Sequence, residues 1–225
     1  MKVGAVAEMQ GRDLLRRRLA LLLLLAVPLA FTTAAQHGAA YNDAPFRGGI
    51  GMAFSVTGVA LFAMLAARRI DPRLLLAGFR AWQLVLGRLV LLLVAGLAVA
   101  GLFYGYLVAL WAPARPGVAV VGLVEVALVS VPVGLMLAAL LPRELEGMLV
   151  LIGLVGVEES LSFTSLGARL LPHYGAARFL VASEDAYQPV HTLRWSGYSL
   201  AWALATLALA LGLWWRRTAI RRSSA

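Results

Sequence analysis

The chain has 225 residues, of which 61% are hydrophobic and 14% charged, and its mean hydropathy is +0.84; that composition excludes an ordinary soluble domain and points to an all-α polytopic membrane protein. Twenty basic residues against 11 acidic ones give a net charge of +9, but the charges stand between long apolar runs rather than in a solvated basic domain, which argues against nucleic acid as a partner. The absence of cysteine excludes a disulfide framework, a thiolate metal site and a cysteine nucleophile.

Crossing a hydrocarbon core of about 30 Å takes about 20 apolar residues at 1.5 Å each. The stretches between charges predict six transmembrane helices, at 19–36, 48–66, 89–111, 117–141, 147–166 and 195–215, within a single membrane domain spanning 1–225. No repeat of fixed period and no low-complexity linker divides it. Pro28 interrupts the first span, Glu125 lies in the fourth, and Glu158 and Glu159 lie in the fifth. An even count places both termini on one side. Fifteen of the 20 basic residues fall in the termini and in the loops of that side, whereas Arg47, Arg115, Arg169, Arg178 and Arg194 fall in the others. Because Lys and Arg near span ends are held in the cytoplasm, both termini are expected there. Arginine almost without lysine fits a GC-rich bacterial genome, and hence a bacterial plasma membrane. Trp111, Trp195, Trp214 and Trp215 fall at predicted span ends, where amphipathic rings favour the headgroup layer. The run from Arg16–Arg18 through Phe31 to the small residues at 32–35 also imitates a secretory signal. Its retention is expected, since cleavage would put the termini on opposite sides and discard the most basic flank.

Between the second and third spans, Asp71 can cap a helix and Pro72 has the backbone angle of a first helical position, so a helix is predicted over 72–84. Leu75, Phe79 and Trp82 recur at spacings of four and three and form an apolar ridge, with Arg73 and Arg80 on another face. Two readings of this segment stay open: an interfacial helix on anionic lipid, or a docking helix for a protein partner.

The charged pair Arg68–Arg69, the leucine run 74–76, the aromatics Phe79 and Trp82, and Gly87–Arg88 leading into the third span together resemble the first cytoplasmic loop of the type-2 ABC (ATP-binding cassette) exporter permeases, the ABC-2 class. The resemblance extends to Arg16–Arg18 before a proline-interrupted first span, the short turn 142–147, the glycine-spaced fifth span with Gly153 and Gly156, and the hydrophobic segment before the last span. It implies a coupling helix containing Asp71, Pro72, Leu75, Leu76, Phe79, Arg80 and Trp82 that inserts into a separate ATPase subunit. It also implies an amphipathic elbow in the basic N-terminal segment, short re-entrant helices before the last span, and a second permease copy or a paralogue as partner. This chain would then bind no cofactor itself, ATP and Mg being held by the ATPase. Where the family usually has an acidic residue before the coupling helix, this chain has Arg68 and Arg69.

A carboxylate at bilayer depth costs about 2.5 to 3.5 kcal/mol on insertion scales, so Glu125, Glu158 and Glu159 are expected to face protein or water and are the pathway candidates. Glu125 is preferred, because Ser130 and Pro132 follow it and a proline frees a backbone carbonyl. Glu158 and Glu159 point about 100° apart on a helix, and the alternative for them is pairing with Arg169, Arg178 or Arg194. His37, His173 and His191 are expected at the outer surface, solvated. Pro172 and Gly175 are expected to break the outer segment into short pieces.

Two other classes compete. Paired glutamates resemble those of the CPBP-type membrane proteases, but Phe163 stands where that pattern has arginine, and no His-x-x-x-His or Gly-x-Ser-x-Gly motif supplies a metal site or an activated serine. A proton-coupled carrier could relay through Glu125 or Glu158, although no inverted halves are visible. A phosphate-cradling Gly-x-x-x-x-Gly-Lys-Ser/Thr loop is missing and Lys2 is the sole lysine, so the chain cannot hydrolyse ATP by the P-loop mechanism. The sequence is therefore read as a transport subunit rather than an enzyme.

Overall fold

The structure, a computed structural model, describes residues 2–16, 18–36, 44–68, 70–141, 143–161 and 165–223. Arg17, His37, Arg69, Pro142 and Phe163, named above, lie outside the described residues. Ten helices make up the described fold: α1 (Lys2–Arg16), α2 (Arg18–Gln36), α3 (Ala44–Ala67), α4 (Asp71–Leu76), α5 (Ala81–Leu110), α6 (Pro116–Leu140), α7 (Glu144–Ser160), α8 (Leu166–Arg169), α9 (Tyr174–Glu184) and α10 (Thr192–Ser223). No strand occurs among the described residues. Four of the helices are long and apolar enough to cross a membrane: Pro45–Ala67, Trp82–Leu110, Pro116–Leu140 and Thr192–Arg216. This is a membrane-embedded helical protein.

The centre of the bundle is the α3–α6 pair, against which α2, α5, α7, α9 and α10 are packed. α6 is apolar on every side: most residues from Ala119 to Ala139 are buried by its neighbours, and the stripe that is not, with Val121 and Leu128, is apolar as well. α5 and α10 instead leave Val94, Leu102, Leu200 and Leu204 exposed, as faces turned to lipid or to another chain require. Between helices in lipid the hydrophobic effect supplies little attraction, so close packing carries the association. Leu180 of α9 shows this: its side chain fills the space that a Cβ at Gly49 of α3 or Gly122 of α6 would occupy. Gly175, in the first turn of α9, leaves no room for a Cβ against the Trp195 carbonyl and the Ser199 hydroxyl of α10. These contacts fasten α9 to one end of the bundle.

α1 lies along α5, with Val6 only 1% exposed and packed on the bare backbone of Gly87. At the end of α6, Arg68 donates to the carbonyl oxygens of Ala138 and, at 3.3 Å, Leu141, groups that a helix terminus leaves unpaired.

Several expected boundaries change. The helix predicted over 72–84 stops at Leu76, and α5 begins at Ala81, not 89. The reason is Gly78, which takes φ +82°. The Gly78 N–H donates to Leu75 O and the Phe79 N–H to Leu74 O, both at 3.1 Å, the paired bonds of a Schellman end that require a left-handed residue after the helix. α5 then starts where the Arg80 N–H donates to Gln83 Oε1 at 2.9 Å. Asp71 does not cap α4: Ile70 holds the capping position without a side-chain bond, and the Asp71 carboxylate is used elsewhere. α7 ends at Ser160 rather than 166. Trp195 is no interfacial anchor, since it is 3% exposed and packed edge-on to Phe179 at 5.1 Å, with the Arg178 guanidinium 5.2 Å over its ring.

Candidate functional site

Buried polar groups collect at three places. The first is beneath α4. Arg88 of α5 is 1% exposed and Asp71 is 7% exposed, and they meet as a two-point fork: Nη1 donates to Oδ2 at 2.9 Å, and Nη2 donates to Oδ1. Paired donors and acceptors fix orientation as well as distance, so the first residue of α4 is pinned to α5. Nη1 also approaches Met64 Sδ of α3 at 3.7 Å. Above this pin the short helix projects. Leu76 is 89% exposed and Trp82 51% exposed; Pro72, Arg73 and Arg80 are exposed, while Leu75 and Phe79 are half-buried. The continuous ridge expected from Leu75, Phe79 and Trp82 is therefore broken at Gly78, and Leu76 becomes the apolar tip.

The second place is within the bundle, toward α9. Glu158 of α7 faces His173, whose Nδ1 lies 3.0 Å from both carboxylate oxygens and whose backbone N–H donates to Oε1 at 3.3 Å. The other ring nitrogen, Nε2, lies 3.0 Å from Ser130 Oγ of α6. Exposures of 0%, 3% and 6% for Ser130, His173 and Glu158 make this a closed chain linking α6, α7 and the turn before α9. With its proton on Nδ1, the ring donates to the carboxylate and accepts from the serine. That is the order of a nucleophile, a base and the acid that orients it. Two requirements of acyl transfer are not met nearby: Ser130 is wholly enclosed, and it stands inside a helix whose backbone N–H groups are occupied by helical bonding.

Glu125, also buried, accepts hydrogen bonds from Ser196 and, at 2.7 Å, Ser199. In this conformation the preferred pathway residue ties α6 to α10. Glu159 is half-exposed and pairs with Arg47 of α3 at 3.2 Å. Neither Glu158 nor Glu159 thus takes Arg169, Arg178 or Arg194 as its partner, and the three acids do not converge on one site. His173 departs most from expectation, being buried rather than solvated, whereas His191 is exposed and beside Trp195. The available signal was Glu158 itself: a carboxylate at depth needs a donor, and His173 follows within the next turn-rich segment. Pro132 stands inside α6 as the sequence requires, and near it the Thr57 hydroxyl of α3 donates to the Ser130 carbonyl at 3.2 Å.

The chain matches no protein-family model and no curated protein sequence, so the reading of these sites rests on their geometry.

Proposed function

We propose that this chain is the membrane-spanning permease subunit of an ATP-driven exporter of the ABC-2 type. The observation that carries the reading is α4: a short helix between two long apolar ones, pinned at its base by Asp71–Arg88 and leaving Leu76 almost wholly uncovered by the rest of the chain. An exposed leucine at the tip of a pinned six-residue helix is a surface that a partner can cover, and a groove on a separate ATPase subunit, which binds ATP and Mg, is the receiver we favour. The order of the remaining helices agrees. An amphipathic α1 precedes the bundle, α2 and α7 complete six spans with the four long helices, and α8 and α9 stand before the last one. The arginine distribution puts α4 and both termini in the cytoplasm.

Force on α4 passes through the Arg88 fork to α5, and two permease copies, or this chain and a paralogue, rock against each other to open a pathway. α9, wedged by Leu180 and fastened by Glu158–His173–Ser130, closes the outer end. An amphipathic lipid-like or drug-like molecule suits an apolar pathway of this kind. Reconstitution in proteoliposomes with a Walker-motif ATPase that copurifies with it tests the reading: efflux of amphipathic dyes should require ATP and fall at least tenfold with Leu76→Asp. Transport driven by a pH gradient with no ATPase present would replace it with a proton-coupled carrier working through the buried glutamates.

The Ser130–His173–Glu158 order favours one second reading, an intramembrane serine hydrolase. It ranks below the first because Ser130 is enclosed and lacks oxyanion donors. Labelling of Ser130 by a membrane-permeant fluorophosphonate, lost in Ser130→Ala, would promote it.

A further inference from the structure

The uncovered surface around α4 combines an apolar centre with charge of one sign. Leu76 is 89% exposed, with Trp82 at 51%, and Arg73 and Arg80 are exposed beside them. No carboxylate among the described residues pairs with either arginine: Asp71 is taken by Arg88, Glu8 by Arg12 and Glu146 by Arg143. A leucine between two cations has the composition of a protein–protein contact, in which an apolar centre is buried and a charged rim sets approach and orientation. Arginine suits such a rim, because its planar fork can meet a carboxylate at two points.

An anionic lipid surface fits this arrangement less well. A helix on lipid lays a continuous apolar face into the headgroup layer, whereas the turn at Gly78 puts Leu76 and Trp82 on separate helices, α4 and α5. The base of α4 is also fixed by the Asp71–Arg88 fork. We propose that the partner surface covering α4 is an acidic groove: an apolar slot for Leu76, with Asp or Glu carboxylates on its rim that meet Arg73 and Arg80. The inference rests on the reading of α4 as the helix that docks into the ATPase, and it adds the chemistry of that ATPase's groove. Apolar burial then supplies most of the attraction, and the charged rim contributes a part that salt screens.

Lys2 is the sole lysine, so Arg73→Lys or Arg80→Lys keeps the positive charge and adds a distinctive amine. The full-length chain with either substitution, in its native membrane, is treated with a water-soluble carbodiimide, which joins an amine to a carboxylate only where the two touch. Joined peptides are mapped by mass spectrometry. The expected product is an amide from each introduced amine to an Asp or Glu of a Walker-motif ATPase, absent from the chain without the substitution. The Arg73→Glu, Arg80→Glu double variant should lower copurification of the ATPase by about fivefold. A photoreactive amino acid at Leu76 separates the two levels of the account. If it marks the ATPase while the introduced amines couple to nothing or only to Glu144 or Glu146 of this chain, and the double variant, eluting as a single species, still retains the ATPase in full, the groove is not acidic and the transport reading stands. If it marks no ATPase, both fall.

Discussion

At the α4 end, a buried ion pair holds a helix whose tip is left uncovered by the rest of the chain; at the α9 end, a buried hydrogen-bonded chain holds a helix whose Leu180 is sunk into a socket made by Gly49 and Gly122. Both ends bury polar groups, and both use them to fix a short helix to the bundle, but only one leaves an apolar side chain at the helix tip uncovered. Under the proposed function, the α4 end is the one that would receive a partner. The α9 end is held by close packing and hydrogen bonds on every side that meets the bundle. Polar groups in an apolar bundle thus fix short helices in two ways, as a pin under α4 and as a clasp beside α9.

Breaking the pin should have the largest effect. Asp71→Ala leaves the Arg88 charge buried without its partner, and loss of one member of such a pair costs about 3 to 5 kcal/mol. The expected result is a large fall in the thermal midpoint in detergent, with most of it recovered in the Asp71→Leu, Arg88→Met double variant, because apolar residues of similar volume can replace a buried pair. Equal stability of the single and double variants would mean that the fork is not structural. The clasp should be weaker: His173→Ala strands Glu158 and should cost about 1 to 3 kcal/mol, read as faster hydrogen exchange in α9 while α3 and α5 are unaffected. Gly175→Ala tests the same end by collision with α10 and should cost about 1 to 3 kcal/mol, whereas Gly101→Ala, whose Cβ would meet open space, should leave the melting curve where it was.

How far this division could be read from the sequence differs between the two ends. The long helices followed from charge-free stretches, and Pro72 marked the start of the short helix. Its stop was also written, in Gly78 followed by Phe79, but the apolar period at 75, 79 and 82 ran across the glycine and concealed it. Asp71 read as a cap because capping is local, while its true partner is Arg88, 17 residues away. The α9 end was less legible. Glu158 signalled a need for a donor, yet the partner came from a loop histidine and a mid-helix serine brought together only by packing. Periodicity carries no information about such long-range polar contacts.

A small effect on stability and the largest on function are expected at one residue. Leu76→Asp alters a side chain that is 89% exposed, so the fold should change by about 0.5 kcal/mol or less, while association with the ATPase should fall at least tenfold. A photoreactive amino acid placed at Leu76 in the native membrane tests that most directly. The account predicts a single dominant adduct with a Walker-motif ATPase, formed at about one copy per chain. Adducts with lipid alone, from a protein that remains folded and inserted, would contradict it and make α4 an interfacial helix.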